Sequence, residues 1–379
     1  LVLVDWGLVA FAVVLAVFWA LLWFRFRGST GRVRVYPLLL IARTGIKGGP
    51  LGGTLARLLS LYGWFSIVTL VTSMAFFYYL AVTIFIRRYI APPPEPGFAE
   101  GFVPLLPGIT IPLDELPLLL VPIGVAILFH ELAHALVARA VGVSVRDAGF
   151  ILLAFIPGAF VEPDEGELRR APLASRLKVY SAGVAANVIL AVVALGLLAL
   201  AAPALHNGVL VLDVEGGSPA DLGGLRRGMV VVEVNGVNIR SLDDFIRVLD
   251  ELGVRDRGRT VTLNLKVLHE GREEVVTIIK PEGLERLGVR VEQSYSLKIP
   301  VTMLQVLFMI NVALALVNAA PILIPTPAGA IASDGAHLVG DLIATTLGEK
   351  TRPLVTAVGL ATLLLIVSLL TLTPIDLIP

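Results

Sequence analysis

The chain has 379 residues, 56% hydrophobic and only 16% charged, with no net charge, no cysteine and a mean hydropathy of +0.86. Soluble domains carry about a quarter charged residues, so much of this chain belongs in lipid, and zero net charge gives nucleic acid no electrostatic foothold. The missing cysteines exclude disulfides, thiolate metal sites and cysteine nucleophiles together.

Residues 1–24 are apolar except for Asp5 and long enough to cross a bilayer. No small-residue cleavage site follows them, so they read as an anchor. Residues 25–60 carry Arg25, Arg27, Arg32, Arg34, Arg43, Lys47 and Arg57 and no acid, which the positive-inside rule places in the cytoplasm. The apolar runs PLLLIA and LARLLSLYGW within them are expected to lie along the membrane. A second span is predicted over 61–86, and Arg87 and Arg88 beyond it go against the charge rule. APPPEPG at 91–97 signals a rigid loop, and Pro104, Pro107 and Pro112 keep 101–115 extended.

The third span, 116–141, carries the most informative residues. His130-Glu131-Leu132-Ala133-His134 fits H-E-x-x-H. On a helix the two imidazoles lie one turn apart on one face. At that spacing they can share one Zn²⁺, with Glu131 beside them as the base for an attacking water. A five-residue pattern arises by chance in soluble helices. Inside a membrane-length apolar helix a chance Glu has no solvent to stabilise it, so the metal reading is favoured.

Residues 144–172 are polar at both ends with GFILLAFIPGAFVEP between. That stretch is too short to span, leans to β-structure and is broken by Pro157 and Gly158, which predicts a re-entrant hairpin. In the fourth span, 174–202, Gly183 and its neighbouring alanines allow close helix contact. Asn187 there is either an interhelical hydrogen bond or part of the site. Charge, alternating strands and turns return over 206–292, a soluble α+β module whose His206 and His269 read as surface residues. A fifth span, 299–320, contains Asn311 and Asn318. The Pro- and Gly-rich stretch 318–338 then holds Asp334, the only acid between Glu292 and Asp341 and so a ligand candidate. A last span is predicted over 353–373.

The H-E-x-x-H helix, the Asn318-x-x-Pro321 segment leading to Asp334-Gly335, the GSPADLGGLRRGMVVVEVNG core of the module and the AGVAAN stretch together resemble the site-2 proteases, a family of intramembrane zinc metalloproteases. The resemblance covers roughly 116–345. It implies a polytopic α-helical membrane protein of about six spans with an inserted PDZ-like domain and a small re-entrant β-hairpin. Its parts are an N-terminal transmembrane region (1–115), a first part of the catalytic core (116–205), the PDZ-like domain (206–292), and a second part of the core with the last span (293–379). It further implies one Zn²⁺ per chain held by His130, His134 and Asp334, Glu131 as general base, and Asn318 and Pro321 shaping the substrate groove. The family spaces that Asn and the Asp-Gly more closely. Here PTPAGAIAS is interposed, and His337, three residues beyond Asp334, is the alternative third ligand.

The oxyanion of peptide hydrolysis needs a donor besides zinc, and Asn187 is the candidate. A helical substrate must unwind to expose its carbonyls. The 149–163 hairpin is expected to take the unwound stretch by edge-strand addition, at Gly158 and Phe160. In the PDZ-like module the expected peptide loop is Asn207-Gly208 leading into Val209. The implied partners are the lipid bilayer and single-pass membrane-anchored proteins, with anti-sigma factors and transcription-factor precursors as substrate classes, and no nucleic acid. The implied location is a cell membrane, with the site toward the cytoplasm and the module outside. Two other readings use the same residues: a PDZ scaffold with a non-catalytic metal site, and a metal-ion transporter. The intact ligand-and-base set argues against the first, and the want of an internal repeat against the second.

Overall fold

The computed structural model describes residues 6–27, 31–91, 101–326, 329–348 and 352–371. Most of the APPPEPG loop and two residues of the interposed PTPAGAIAS stretch lie outside them. The chain divides into two units, Leu195–Leu304 and the remainder.

In chain order the larger unit begins with α1 (Trp6–Phe26), β1 (Val33–Tyr36), β2 (Leu39–Arg43) and α2 (Gly53–Phe85), which runs on into a π-helical turn, Ile86–Ile90. After a 3-10 turn at Leu113–Glu115 come α3 (Leu116–Ala140), β3 (Val145–Leu153), β4 (Ile156–Pro163), α4 (Glu165–Arg170) and α5 (Leu173–Leu205). The far end of α5 passes into the second unit. There follow β5 (His206–Val214), α6 (Pro219–Leu222), β6 (Val230–Val234), β7 (Val237–Asn238), α7 (Leu242–Glu251), β8 (Val261–His269), β9 (Arg272–Lys280) and β10 (Val289–Tyr295). The helix α8 (Lys298–Ala319) leads back to the first unit, which closes with β11 (Leu323–Thr326), β12 (Gly329–Ala332), α9 (Asp334–Leu347) and α10 (Arg352–Ser368).

Among the described residues five helices are long and apolar enough to cross a membrane: α1, α2 with its π turn, α3 with its leading turn, α5 and α8. A helix satisfies its own backbone, which is what lipid demands. The expected sixth span is shorter than predicted. The 17 residues of α10 reach about 25 Å against a hydrocarbon core of about 30 Å.

The hairpin read from 144–172 forms as β3–β4, and it is half of a larger sheet. β1 and β2 add to it in the antiparallel order β1-β2-β3-β4. Residues 25–60 are therefore not merely a loop along the membrane. The four-residue strand β1 is too short to signal itself, and the partner of β2 stands more than a hundred positions away in the chain. The two hairpin tips are apolar and joined, Ala154 N–H donating to Leu38 O at 2.7 Å. Trp19 of α1 donates its indole N–H to Ala154 O at 3.0 Å. The opposite end of the sheet is charged, with Arg43 against Asp147 at 3.1 Å and Glu162 at 2.8 Å. Beyond it Asp164 caps α4. The Glu167 amide first, then Arg146, hold its carboxyl below the usual range.

Although α2 precedes the stretch that resembles the family, it belongs to the same core. Leu70 packs with Leu177, Val184, Ala315 and Leu338, and Tyr62 donates its hydroxyl hydrogen to Ala182 O at 2.7 Å.

The second unit is an antiparallel sheet in the order β10-β5-β6-β8-β9, with β7 paired to β6. Strand β8 alternates strictly: Val261, Leu263, Leu265 and Val267 are buried, with polar residues between. They form one core with Val209, Phe245 and Ile278. Helix α7 starts with a capping box in which Ser241 and Asp244 satisfy each other's backbone N–H, and the Ser241 hydroxyl leads in holding the Asp244 carboxyl below its usual range.

Candidate functional site

On α3, His130 and His134 face the same way with their Nε2 atoms 3.1 Å apart. Asp334, the first residue of α9, brings Oδ2 to 3.4 Å from His130 Nε2 and 3.5 Å from His134 Nε2. One ligand atom from each of the three lies within 4.8 Å of the others.

The orientation of each ring is set from behind. His134 Nδ1–H donates to Val179 O at 2.7 Å, and His130 Nδ1–H donates to Asn187 Oδ1 at 2.5 Å. A ring whose Nδ1 holds its proton in this way presents a bare Nε2, the arrangement of a metal-ligating histidine. Asp334 Oδ2 is buried and has no hydrogen-bond partner, which is costly unless a cation neutralises it. Gly183 of α5 leaves the room. A Cβ there would collide with His130 Cε1 and His134 Nε2. Two imidazoles bonded from behind at Nδ1, a carboxylate with an orphaned oxygen and a cradle kept open by glycine fit a zinc ion.

The interposed segment does not displace Asp334, because it folds back on itself. β11 and β12 pair from Thr326↔Gly329 to Leu323↔Ala332, so Ile322 and Ser333 become neighbours. Ser333 N–H donates to Ile322 O at 3.0 Å, its Oγ–H donates to Ala320 O at 2.5 Å, and Oγ accepts from the Ile322 N–H at 3.0 Å. Gly335 then lies against the Ala319 carbonyl so closely that any Cβ would strike it. Asn318 stands half-buried on the last turn of α8, and Pro321 is buried just before β11. His337 stacks on Tyr180 at 5.1 Å between ring centroids.

Glu131 Oε2 accepts the Val161 N–H of β4 at 3.0 Å. The Asn187 amide is committed elsewhere: Oδ1 to His130, and Nδ2 to Asn311 Oδ1 at 2.9 Å and Ala126 O at 3.4 Å. Asn311 in turn donates to Leu307 O at 2.8 Å. The residue expected to face an oxyanion thus stands behind His130, as its support. Gly158 pairs with Ile151 in the hairpin. Phe160 covers Gly149 and lies under the Arg43 guanidinium, 5.6 Å from it.

In the second unit the expected peptide loop, Asn207-Gly208 leading into Val209, does not stand at an open edge. Val209 pairs with Val231 of β6 on one side and Gln293 of β10 on the other, so β5 has no free edge. Gly208 is locked by Arg240 O and by the Gln293 amide. The sheet ends on β10 at one side and on β9 at the other. Beside β10 and α7 lies a cleft of about 550 Å³ whose apolar walls include Leu242, Ile246 and Leu249 from the helix, Val289 and Val291 from the strand, and Leu287 just before it. Edge position depends on which strands pair, not on the run of residues.

Asn311 and the close-packing role of Gly183 at the metal ligands had no sequence signal beyond a polar or small residue in a span.

A polytopic helical membrane protein in which an aspartate converges on two histidines of a membrane-length helix defines the class. The chain belongs to Peptidase family M50, whose family model matches residues 118–366. It is similar to the uncharacterized protein MJ0971 of Methanocaldococcus jannaschii, 28% identical over 259 residues, 68% of this chain and 62% of that protein. It is also similar to a membrane-bound transcription factor site-2 protease homolog of Arabidopsis thaliana, 29% identical over 148 residues, 38% of this chain and 29% of that protein. The chain thus spans less than two thirds of the length of either relative.

Proposed function

We propose that the chain is an intramembrane zinc metalloendopeptidase that cleaves transmembrane-segment peptide bonds of membrane-anchored proteins, acting in regulated intramembrane proteolysis. The observation that carries this is the convergence of His130, His134 and Asp334, with Glu131 adjacent, on a helix of membrane length.

Zinc at this site supplies Lewis acidity, polarising a peptide carbonyl and making water a nucleophile near neutral pH. His130, His134 and Asp334 hold it, and the aspartate offsets part of its charge. Glu131 takes the proton of the attacking water and delivers it to the leaving amine. Asn187 fixes the His130 tautomer through Oδ1. One side of β4 is taken by β3, and on the other the Val161 N–H already reaches Glu131. A substrate strand laid along that side arrives at the base.

Glu131→Gln removes the proton acceptor and leaves the ligands. Zinc content should stay at one per chain while cleavage of a single-pass substrate falls by roughly 10²-fold or more. Cleavage above a tenth of wild type in a zinc-loaded variant would remove Glu131 from this role, and wild-type protein without zinc would remove the metal reading.

The second unit acts as a PDZ-like peptide-binding module, and the cleft between α7 and the open edge of β10 is its groove. Apolar walls beside a strand with unpaired main-chain groups suit an extended peptide.

A further inference from the structure

Four side-chain positions on α5 recur at helical spacing: Arg176, Tyr180, Gly183 and Asn187 follow one another by four, three and four residues and so share a face. On α9, Asp334, His337 and Asp341 do the same at three and four. The two faces meet in antiparallel register. At one end Asn187 holds His130 and Gly183 cradles both imidazoles opposite Asp334. One turn on, Tyr180 stacks against His337 with ring planes 22° apart. At the other end Arg176 Nε meets Asp341 Oδ2 at 2.7 Å, both atoms shielded from solvent. Arg176 is itself braced by donating Nη1–H to Arg169 O of α4 at 3.2 Å.

We infer that Arg176, Tyr180 and Asp341 are positioning residues for the metal centre, an ion-pair clamp that fixes the rotation of α9 and so aims Asp334 at the two histidines. The reason is geometric. Asp334 comes from a different helix than the histidines, and α9 enters through Ser333 and Gly335 at a single point. Beyond that point α9 is held by the Leu338 core contact and the His337–Tyr180 stack, apolar contacts that are non-directional and resist a small turn about the helix axis less than a charged pair does. A carboxylate stands about 5 Å from its helix axis, so a 20° turn carries it about 2 Å, as far as a whole zinc–oxygen bond of about 2.0–2.2 Å. Asp341 lies seven residues on, two turns along the same face, where a second anchor has the leverage to stop that turn. An ion pair shielded from water also has a defined geometry, because breaking it strands a buried charge.

The inference rests on the metal reading above, and the test separates the two. Zinc affinity is measured by chelator competition on purified full-length protein in detergent, alongside the melting temperature of the zinc-free form. Arg176→Gln and Asp341→Asn should each weaken zinc by roughly tenfold or more, the loss seen when an outer partner of a metal ligand is removed. The double variant should be no worse than either single, since one clamp is broken once. Arg176→Lys should restore most of the affinity, and Tyr180→Phe should cost less than either charge variant. Wild-type protein that binds no zinc overturns the metal reading itself. Variants that bind zinc as tightly as wild type, whether or not they melt earlier, overturn the clamp, since loss of melting temperature alone is what a merely structural pair would show. Additive losses in the double variant also overturn it.

Discussion

Gly183 is the residue whose effect the surroundings reverse. In an isolated helix, replacing glycine by alanine stabilises by about 1 kcal/mol. Here the added methyl falls on the two metal-facing imidazoles, and an imidazole pushed from its place loses either its Nε2 direction or its Nδ1 bond. Gly183→Ala is therefore expected to bring no gain in melting temperature to the zinc-free protein, the helix gain being offset by the clash, while weakening zinc by roughly tenfold or more. Metal analysis after dialysis against a graded chelator reads the second effect, and full zinc retention in a folded variant would mean that α5 backs away from α3 without cost. Asn187 acts at the same scale with the opposite chemistry. It stabilises by adding a bond to His130, and its own amide hydrogens go to Ala126 O and Asn311 Oδ1, with Asn311 in turn donating to a backbone carbonyl.

At the scale of elements, function depends on which edges stay open. β5 is enclosed on both sides, while β10 and β9 end the sheet; of the two, β10 lies beside α7 and the cleft, so a peptide that adds a strand to the second unit is expected there. Ile246 is 40% exposed on the cleft side of α7, and changing it leaves the Phe245 and Val248 core contacts alone. In a Glu131→Gln background that prevents cleavage, Ile246→Lys should weaken binding of a fluorescent, extended, apolar peptide by roughly tenfold, about the worth of one buried aliphatic side chain replaced by a charge. Asn207→Ala, at the site first expected from the sequence, should not change it. Fluorescence anisotropy with the two effects exchanged would return the peptide to β5. The β11–β12 hairpin shows the same principle at the metal centre. Its two strands pair with each other, so an insertion between Pro321 and Asp334 leaves the ends of the segment bonded through Ser333.

For the molecule as a whole the question is sidedness, which helix lengths do not decide. Arg25, Arg27, Arg32, Arg34 and Arg43 gather after the first membrane-length helix, and the positive-inside rule puts them in the cytoplasm. That rule leads us to expect the 206–292 module on the outer side. The chain has no cysteine, so single cysteines report without background. Asp250→Cys should react with a membrane-impermeant maleimide added to intact cells, and Lys47→Cys only after the membrane is opened. Reaction at 250 solely from the cytoplasmic side would invert the topology and, with it, the side from which water reaches the zinc.

What the sequence determined by itself was whatever is written in local spacing. Apolar runs of membrane length, histidines four apart with a glutamate between, a lone aspartate in a Pro- and Gly-rich stretch, and the alternation of β8 each follow from one helix or strand and its own period, so the membrane-length helices, the candidate His–His–Asp cluster and the β-rich module were legible. The tertiary structure decided what depends on partners distant in the chain. It paired β1–β2 with β3, closed both edges of β5, turned Asn187 behind His130 and drew Arg176 onto Asp341, 165 positions apart. No local period encodes such meetings, because long-range pairing is chosen by the packing of whole elements, and a side chain learns which way it faces only when its helix has found its neighbours.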